Sequence, residues 1–375
     1  MNTTPSILHA IDTTGPGGAE TVFLDLAQYL TVDGYNNIAV IKGAGWVEDQ
    51  LKQRGVTYYI VKPKSGFSLS YYRELYKIIK RHQVKLIQAH LLGSTLTYSL
   101  LSLFLRLPLV ATLHGRVDVN PNEKLIAIKN KIMQFGVSKL VAVSKDLAQY
   151  IADRGLFKQE NIAVIYNGVN IKKYQKTASQ DIRQNLGLAS SAILIGSVGN
   201  VRPAKAYHIL IQAAKIITQQ QPNVHFVIAG HKKADLMAEL EAQLQALDLS
   251  ANVHFIGFQQ DSAAFLGQMD LFALSSSSEG FSIATIEAMA TGLPVVATRC
   301  GGPEEILEHN KTGWLVSVND PTDLAKGLLY LINDQALQQQ LAQQGKQHAA
   351  NTFAMETLLN QYRYIYAGLI SQQHT

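Results

Sequence analysis

The chain has 375 residues, of which 47% are apolar and 16% are charged. This length and composition exclude a disordered chain and predict two globular domains, while the single cysteine, Cys300, excludes an internal disulfide and a cysteine-built zinc site. The net charge of +5 is uneven, because residues 1–170 carry 19 basic and 12 acidic side chains, whereas residues 171–375 carry 14 and 16. A basic first half suits an anionic partner such as a membrane surface or a phosphate-bearing substrate, although ordinary surface lysines would give the same balance.

Short apolar segments alternate with helix-length segments along most of the chain. In the first half the predicted strands are SILHAI, NIAVI, VTYYIV, VKLIQA, PLVATL, KLVAVS and IAVIYN. In the second half they are AILIGSVG, VHFVIAG, VHFIG, DLFALS, PVVAT and GWLVSV. Many of them are apolar over consecutive positions rather than at alternate ones, as strands buried on both faces are. The alternation predicts two doubly wound α/β domains, each a parallel sheet with helices on both faces.

Two helical segments of the first half have a distinct pattern. SYYRELYKIIKRH predicts an amphipathic helix whose apolar residues are Tyr72, Leu75, Tyr76, Ile78 and Ile79. Residues 91–105 form the longest uncharged apolar run. As a helix this run would span about 22 Å, less than the roughly 30 Å hydrocarbon core of a bilayer, so we expect a buried helix and no membrane span.

Polarity rises within YNGVNIKKYQKTASQ, which predicts the domain boundary. We expect a first domain over residues 1–172 and a second over 173–354, with the turn at Asn167-Gly168 close to the hinge. An amphipathic helix over about 355–375 ends the chain. The first twenty residues lack the basic and apolar regions of a secretory signal, so we expect none.

Candidate binding residues follow the predicted strands of the first half, where ligands bind in doubly wound sheets. Gly17 and Gly18 precede a helix that is predicted to start near Ala19, and this arrangement suits either a phosphate or a tight turn without a ligand. His114 follows PLVATL and could polarise a substrate or share a proton, or it could cap loop carbonyls. His90 occupies an equivalent position, and we expect a structural role for it.

Two cations, Arg202 and Lys205, lie in the loop after the first strand of the second domain. They precede a helix, where the dipole disfavours positive charge, so a diphosphate ligand accounts for them better than a solvated surface does.

Two glutamates eight positions apart, Glu279 and Glu287, flank a predicted helix start in SSSSEGFSIATIEAMATGLPVVAT. The backbone amides of residues 281–284 would face an anion, with Gly280 and Ser282 allowing close approach and starting the helix. Either carboxylate could bind the hydroxyls of a sugar. Alternatively, Glu279 is a partner of the helix dipole and Glu287 an exposed helix carboxylate. GFSIA lacks the final glycine of a hydrolase nucleophile elbow, which disfavours that class.

The segment EGFSIATIEAMATGLPVVATRCGGPEEI resembles the hallmark region of glycosyltransferase family 4. GPGGAE, ATLHG, VAVSKDL, VIYNGVN, SVGNVRPAK and VHFIGF resemble other family segments and occur in the family's order over most of residues 8–318. The resemblance implies a GT-B fold, two Rossmann-like domains facing across a cleft, with the last helix crossing back to the first domain. It also implies transfer with retention of anomeric configuration and no dedicated metal or other cofactor.

The resemblance also implies roles for individual residues. Glu279 matches the glutamate that holds donor-sugar hydroxyls, and Glu287 the one that binds the nucleotide ribose. Lys205 matches the diphosphate-binding lysine, and His114 the cleft histidine beside the sugar. The matched glycine loop is Gly17 and Gly18, and the donor site would also include Gly280, Phe281, Ser282 and Ile283.

The chain departs from the family pattern in the second domain. Asn200 stands where the family often has arginine, and Arg202 is close enough to replace it. Ala206 replaces the glycine usual after the lysine, and AGHKK replaces the usual AGDGP. The departures bear on the roles of single residues and on the nucleotide base, and not on the fold.

The expected function is transfer of a hexosyl or N-acetylhexosaminyl group from a nucleotide-diphosphate sugar, UDP rather than GDP, to a saccharide. NEKLIAIKNKIMQF sets Leu125, Ile126, Ile128, Ile132 and Met133 among lysines 124, 129 and 131, which suits either contact with an anionic bilayer or packing on its own sheet. With the basic first half, it favours a lipid-linked or cell-surface glycan such as lipopolysaccharide as acceptor. We expect a cytoplasmic enzyme, peripheral on the inner membrane face, with no nucleic-acid partner. Two alternatives remain, a GT-B sugar-nucleotide epimerase and a non-catalytic nucleotide-sugar-binding regulator.

Overall fold

The computed structural model describes residues 4–31, 34–63, 68–119, 125–175 and 182–374. The chain folds into two compact units, Met1–Asn167 with Glu356–Thr375, and Gly168–Met355. The division falls at the Asn-Gly turn that the sequence marks. Residues 176–180 of the predicted boundary segment, like Lys124 of the predicted amphipathic helix, lie outside the described residues.

The described residues of the first unit form a seven-stranded sheet in the order β3-β2-β1-β4-β5-β6-β7, with every neighbouring pair parallel. Its strands are β1 (Ser6–Ile11), β2 (Asn36–Ile41), β3 (Thr57–Ile60), β4 (Val84–His90), β5 (Leu109–Leu113), β6 (Lys139–Ala142) and β7 (Ile162–Val164). Its helices are α1 (Gly18–Tyr29), α2 (Trp46–Gln53), α3 (Leu69–Arg81), α4 (Leu91–Leu105), α5 (Ile126–Gly136) and α6 (Lys145–Asp153).

The described residues of the second unit form a six-stranded parallel sheet in the order β10-β9-β8-β11-β12-β13. Its strands are β8 (Ile193–Val198), β9 (Val224–Ala229), β10 (Val253–Gly257), β11 (Leu271–Leu274), β12 (Val295–Thr298) and β13 (Trp314–Val316). Its helices are α7 (Ile182–Asn185), α8 (Tyr207–Thr218), α9 (Ala234–Ala246), α10 (Ser262–Leu266), α11 (Ile283–Thr291), α12 (Pro303–Ile306), α13 (Pro321–Asn333) and α14 (Gln335–Thr352).

The predicted fold class is confirmed in both units. Each of the thirteen predicted strands is present in the described residues, with ends that differ by up to three residues. The central strands are buried along their whole length, as their predominantly apolar composition requires. In each unit the strand order reverses direction once, between β1 and β4 and between β8 and β11. Loops after these strand pairs form the ligand-binding crevice of doubly wound sheets.

The buried face of α3 differs from the predicted one. Tyr71, Leu75, Ile78 and Ile79 are buried, whereas Tyr76 is 39% exposed. Positions 71, 75 and 78 repeat at the helical period and face the sheet, so Tyr76 lies on the side of the helix. There the Lys80 ammonium is 5.7 Å from the centroid of the Tyr76 ring. The prediction was therefore correct for the helix and wrong for part of its face.

The apolar run 91–105 forms α4 with the predicted ends, but its buried face is rich in small polar residues. Ser94, Thr95, Ser99 and Ser102 are buried, because α5 packs very closely: a Cβ on Gly136 would lie 2.5 Å from the Cβ of Ser99. The helix is buried on one face, as expected, and it is exposed at its end, where Phe104 is 78% exposed. None of the helices in the described part of the chain combines the length and hydropathy that a membrane crossing needs.

The final helix, α15 (Met355–Ser371), belongs to the first unit from Glu356 onward. Tyr366 donates a hydrogen bond to the side-chain oxygen of Gln88 on β4 at 2.8 Å. The hydroxyls of Tyr362 and Thr112 on β5 lie 2.9 Å apart. These buried contacts attach the end of the chain to the middle of the first sheet.

Candidate active site

The loops after β8 and β11 lie side by side at the switch point of the second unit. The loop after β8 contains a 3₁₀ turn, Pro203–Lys205, and ends at Ala206. The Ser275 hydroxyl donates to the Lys205 carbonyl at 2.9 Å, and the Ser277 amide donates to the Ala204 carbonyl at 2.8 Å. Hydrogen bonds to backbone carbonyls therefore hold the two loops together.

Ala206 has a backbone conformation that favours glycine. Its φ of 46° is left-handed, a conformation that costs a residue with a Cβ roughly 1 kcal/mol or more. The chain adopts it because the 3₁₀ turn must reverse before α8 begins at Tyr207. Alanine therefore holds this left-handed conformation at some strain.

Lys205 and Glu279 form a mostly buried ion pair between these loops. The Lys205 ammonium lies 2.7 Å from Glu279 Oε1, and the side chains are 19% and 14% exposed. The Ser276 hydroxyl donates to the same carboxylate oxygen at 2.6 Å. Burial works to lower the pKa of Lys205, but the neighbouring carboxylate outweighs it and the pKa is raised. The Lys205 ammonium is thus protonated and lies beside the Glu279 carboxylate, a group that can bind sugar hydroxyls, at the edge of the sheet.

Helix α11 begins shortly after Glu279. Ser282 is its N-cap, and its buried hydroxyl accepts a hydrogen bond from the Thr285 amide at 3.4 Å. The amides of Ile283 and Ala284, in the first turn, have no intrahelical partner. Phe281 is buried and packs on Phe353 with 5.6 Å between ring centroids, which fixes the loop. The helix therefore starts one residue later than predicted and offers amides suited to an anion.

Glu287 has defined polar partners in the second unit. Tyr174 donates a short hydrogen bond to its Oε1 at 2.5 Å, and the Ser262 hydroxyl donates to the same atom at 3.3 Å. Glu287 is therefore half-buried and hydrogen-bonded, and the alternative of an exposed helix carboxylate was wrong. Its carboxylate is oriented, as a binding group for a diol requires.

Asn200 and Arg202 have different surroundings in the loop after β8. Asn200 accepts a hydrogen bond from the His231 amide at 3.0 Å, so it fastens the loop after β8 to the loop after β9. Arg202 is exposed and precedes the 3₁₀ turn that carries Lys205. The Arg202 side chain is therefore available to a ligand.

Gly17 and Gly18 lie at the start of α1 in the first unit, with Gly17 as N-cap and Gly18 as first helical residue. Glu20, which is 8% exposed, lies close to this end: a Cβ on Gly17 would meet Glu20 Oε2 at 2.4 Å. A carboxylate of the chain itself therefore lies against this helix end. A phosphate here would have to displace Glu20 or share the amides with it.

His114 follows β5 and contacts His90 and Asp118, which the sequence analysis did not predict. Its Nε2 lies 3.0 Å from Nδ1 of His90, at the end of β4. Asp118 Oδ2 accepts hydrogen bonds from the His114 and Gly115 amides at 2.7 and 3.2 Å, which fixes the turn. Burial lowers the pKa of His114 to about 3 and raises the pKa of Asp118 to about 6.

Some of the predicted site residues contact one another, whereas others contact residues that were not predicted. Lys205 and Glu279 meet directly, whereas Glu287 lies in a hydrogen-bonded group with Tyr174 and Ser262. Sequence reasoning missed Tyr174 and Ser262, since nothing in their local sequence marks them. Ser276 could have been found, because it lies in the serine run before Glu279.

Comparisons with known proteins agree with this fold and chemistry. Residues 16–173 match the sequence model of Glycosyltransferase Family 4, and residues 178–348 match that of Glycosyl transferases group 1. The crystal structure of Anabaena HepE in complex with UDP and glucose superposes with a TM-score of 0.88 at 26% identity, over 97% of this chain and 100% of that one.

Curated relatives point to the same class. N-acetyl-alpha-D-glucosaminyl L-malate synthase of Bacillus anthracis is 28% identical over 71% of this chain and 69% of its own length. The capsular polysaccharide biosynthesis glycosyltransferase CapM of Staphylococcus aureus is 26% identical over 66% of each chain. The two sequence models together span nearly the whole chain and meet at the boundary between its units. The chain is therefore a glycosyltransferase with the GT-B fold and belongs to glycosyltransferase family 4.

Proposed function

We propose that this glycosyltransferase transfers a hexosyl or N-acetylhexosaminyl group from a UDP-sugar to a saccharide acceptor with retention of anomeric configuration. The observation that carries the proposal is the 2.7 Å contact of Lys205 with Glu279 beside the N-terminus of α11. A cation and helix amides suit a diphosphate, and a carboxylate suits the hydroxyls of its sugar. The UDP complexes of HepE support the choice of base.

In the proposed mechanism the bond between the anomeric carbon and the diphosphate oxygen breaks as positive charge grows on the sugar. Lys205, Arg202 and the first amides of α11 stabilise the charge that develops on the departing diphosphate, the kind of contact worth about 10²–10³ in rate. The acceptor oxygen bonds to the same face of the anomeric carbon, and a diphosphate oxygen takes its proton. Glu279 holds sugar hydroxyls and is not a covalent nucleophile in this scheme.

The remaining predicted residues take supporting roles in the proposal. Glu287, oriented by Tyr174, binds the ribose hydroxyls. His114 contacts the sugar, and the amides of Gly17 and Gly18 approach the phosphates once Glu20 has moved. We also propose that the enzyme needs no dedicated metal, so turnover should persist in EDTA.

Turnover of purified protein with UDP-glucose, UDP-N-acetylglucosamine and GDP-mannose tests the proposal. We expect release of UDP, a product whose anomeric NMR coupling matches that of the donor, and a roughly hundredfold or greater loss in Lys205→Ala. Lys326→Ala, which removes an exposed lysine of α13, is the matched control. Full activity in Lys205→Ala would contradict the assigned role, and inversion of the product would contradict the mechanism.

The acceptor side of the proposal is a lipid-linked or cell-surface glycan reached from the cytoplasmic membrane face. Four large apolar side chains on α4 and α5 are exposed to solvent: Leu103 by 46%, Phe104 by 78%, Phe135 by 76% and Ile128 by 57%. Lys131 is exposed between the last two. An apolar face with interspersed cations suits an anionic bilayer. CapM and the lipopolysaccharide core glycosyltransferase LpsE of Rhizobium meliloti, by their names, act in cell-surface glycan synthesis.

Co-sedimentation with vesicles that contain anionic lipid tests the membrane contact. We expect binding that weakens with salt and is lost in the double variant Phe104→Ser/Phe135→Ser. Tyr364→Ser, which removes an aromatic side chain that is 84% exposed on α15, is the control. Equal binding by both variants would contradict this surface.

Two alternatives are not favoured by relatives such as CapM and LpsE, whose names are those of glycosyltransferases. An epimerase would convert the donor sugar in the absence of acceptor, and a regulatory protein would bind the donor without consuming it. Incubation with donor alone, followed by sugar analysis, separates both from the proposed activity.

A further inference from the structure

The rings of His90 and His114 lie side by side rather than face to face. Their planes differ by 22°, their centroids are 5.3 Å apart, and Nδ1 of His90 is 3.0 Å from Nε2 of His114. Two stacked rings cannot bring nitrogens this close, because the thickness of the rings keeps their atoms farther apart. The contact is therefore an in-plane N–H···N hydrogen bond, within the normal distance range.

Both rings are neutral at pH 7. Burial lowers the pKa of His114 to about 3, and burial together with the nearby His114 lowers the pKa of His90 well below its ordinary value. A neutral imidazole carries one N–H and one bare nitrogen. The single shared hydrogen bond can therefore be made in two ways, and they place the proton of His114 on different atoms.

The surroundings of His90 distinguish the two arrangements. His90 is fully buried, and its Nε2 has no hydrogen-bond partner among the described residues. A proton on Nε2 would be an orphaned buried donor, which is rarer in proteins than a bare acceptor. The perpendicular ring of Phe23, with centroids 5.7 Å apart, is at most a weak acceptor. The bare nitrogen of His90 therefore belongs at Nε2 and its proton at Nδ1.

We propose that His90 is a positioning residue, which donates from Nδ1 to Nε2 of His114 and thereby holds the proton of His114 on Nδ1. His114 then presents a neutral N–H donor to an oxygen atom of the bound substrate. It does not act as a base from that atom. This consequence rests on the proposed placement of His114 beside the donor sugar, whereas the tautomer itself does not.

Nitrogen-15 NMR of the full-length chain labelled at histidine tests the proposal directly. The shifts of the two ring nitrogens separate the tautomers, and the signals of His114 are assigned by their loss in His114→Gln. We expect the Nδ1–H tautomer in the unmodified protein. An Nε2–H tautomer at His114 would overturn the proposal, whatever the enzyme turns over.

Three variants of His90 connect the tautomer to activity. His90→Asn retains a side-chain N–H near the place of Nδ1, His90→Asp has the same shape and, when ionised, only acceptors, and His90→Leu has neither. We expect kcat/KM for the UDP-sugar within about threefold of the unmodified value in the Asn variant, and losses of about tenfold or more in the other two. His114 should keep the Nδ1–H tautomer in the Asn variant and change to Nε2–H in the Asp variant.

Equal losses in the Asn and Asp variants, with both folded by thermal unfolding, would overturn the positioning role. If the Asp variant does not fold, the comparison of Asn with Leu and the NMR spectrum of the unmodified chain decide. Absence of turnover in the unmodified enzyme would instead contradict the proposed function, and the NMR result would still decide the tautomer.

Discussion

The switch points of the two sheets have the same strand order but different electrostatics. In the first unit, His9 and His90 are buried, His114 is half-buried, and all three are neutral at pH 7 because desolvation lowers the pKa of each. In the second unit, Lys205 and Glu279 are charged partners, and the pKa of Lys205 is raised. The same fold therefore accommodates its polar groups as neutral histidines in the first unit and as an ion pair in the second. We therefore expect acid to destabilise the first unit and the loss of one charge to destabilise the second.

The largest expected difference is in acid. A histidine whose folded pKa is lowered binds no proton until the pH falls below that value, while the unfolded chain binds one below about 6.5. Stability is therefore lost between pH 6.5 and the folded pKa, by about 3 kcal/mol for His9, whose pKa is lowered to about 4. Asp118 acts in the opposite direction between pH 6 and 3.8, because its pKa is raised to about 6. The three histidines together outweigh it.

Tryptophan fluorescence can follow each unit, since Trp46 lies in α2 and Trp314 in β13. In Trp314→Phe, Trp46 reports the first unit, and we expect its free energy of urea unfolding to fall steeply from pH 6.5 to 4. In Trp46→Phe, Trp314 reports the second unit, and we expect its free energy of unfolding to fall less steeply. His9→Gln should reduce the slope in the first unit only. The same pH dependence for both reporters would refute the comparison.

The next effect, smaller than that of the three histidines together, is expected from breaking the charge pair of the second unit. Lys205→Met leaves the Glu279 carboxylate mostly buried without its cation, and breaking a buried pair costs about 3–5 kcal/mol. The double variant Lys205→Met/Glu279→Gln removes both charges and should recover most of the stability without recovering activity. Urea unfolding followed by Trp314 measures both. A double variant no more stable than the single one would show that the pair is not the cause.

The smallest effect is expected at Tyr174. Tyr174→Phe removes the hydroxyl that orients Glu287 and should cost about 1 kcal/mol of unfolding free energy. We expect KM for the donor to rise about three- to tenfold with little change in kcat, because ribose binding is equal in the ground and transition states. Tyr330→Phe, on α13, is a control at a half-exposed tyrosine. An unchanged KM would separate Tyr174 from donor binding.

The sequence by itself determined the sheets, because predominantly apolar runs without alternation, such as those of β11 and β12, are satisfied by burial on both faces. It also determined that Lys205 and Glu279 follow strands, and hence lie at a sheet edge. It could not determine that β8 and β11 are neighbours, which depends on strand order and not on local pattern. That adjacency alone brings Lys205 to Glu279 across 74 residues of chain.

Tertiary structure also decided the environments of single side chains. His90 was predicted to be structural, yet the pairing of β4 with β5 places it in contact with His114. Glu20 lies against Gly17, and Tyr174 orients Glu287 over 113 residues of chain. Periodicity reports which face of an element is buried, whereas the partner of a polar group depends on which distant strands and loops become neighbours. Burial and pairing together then fix its charge, and this information exists only in the folded chain.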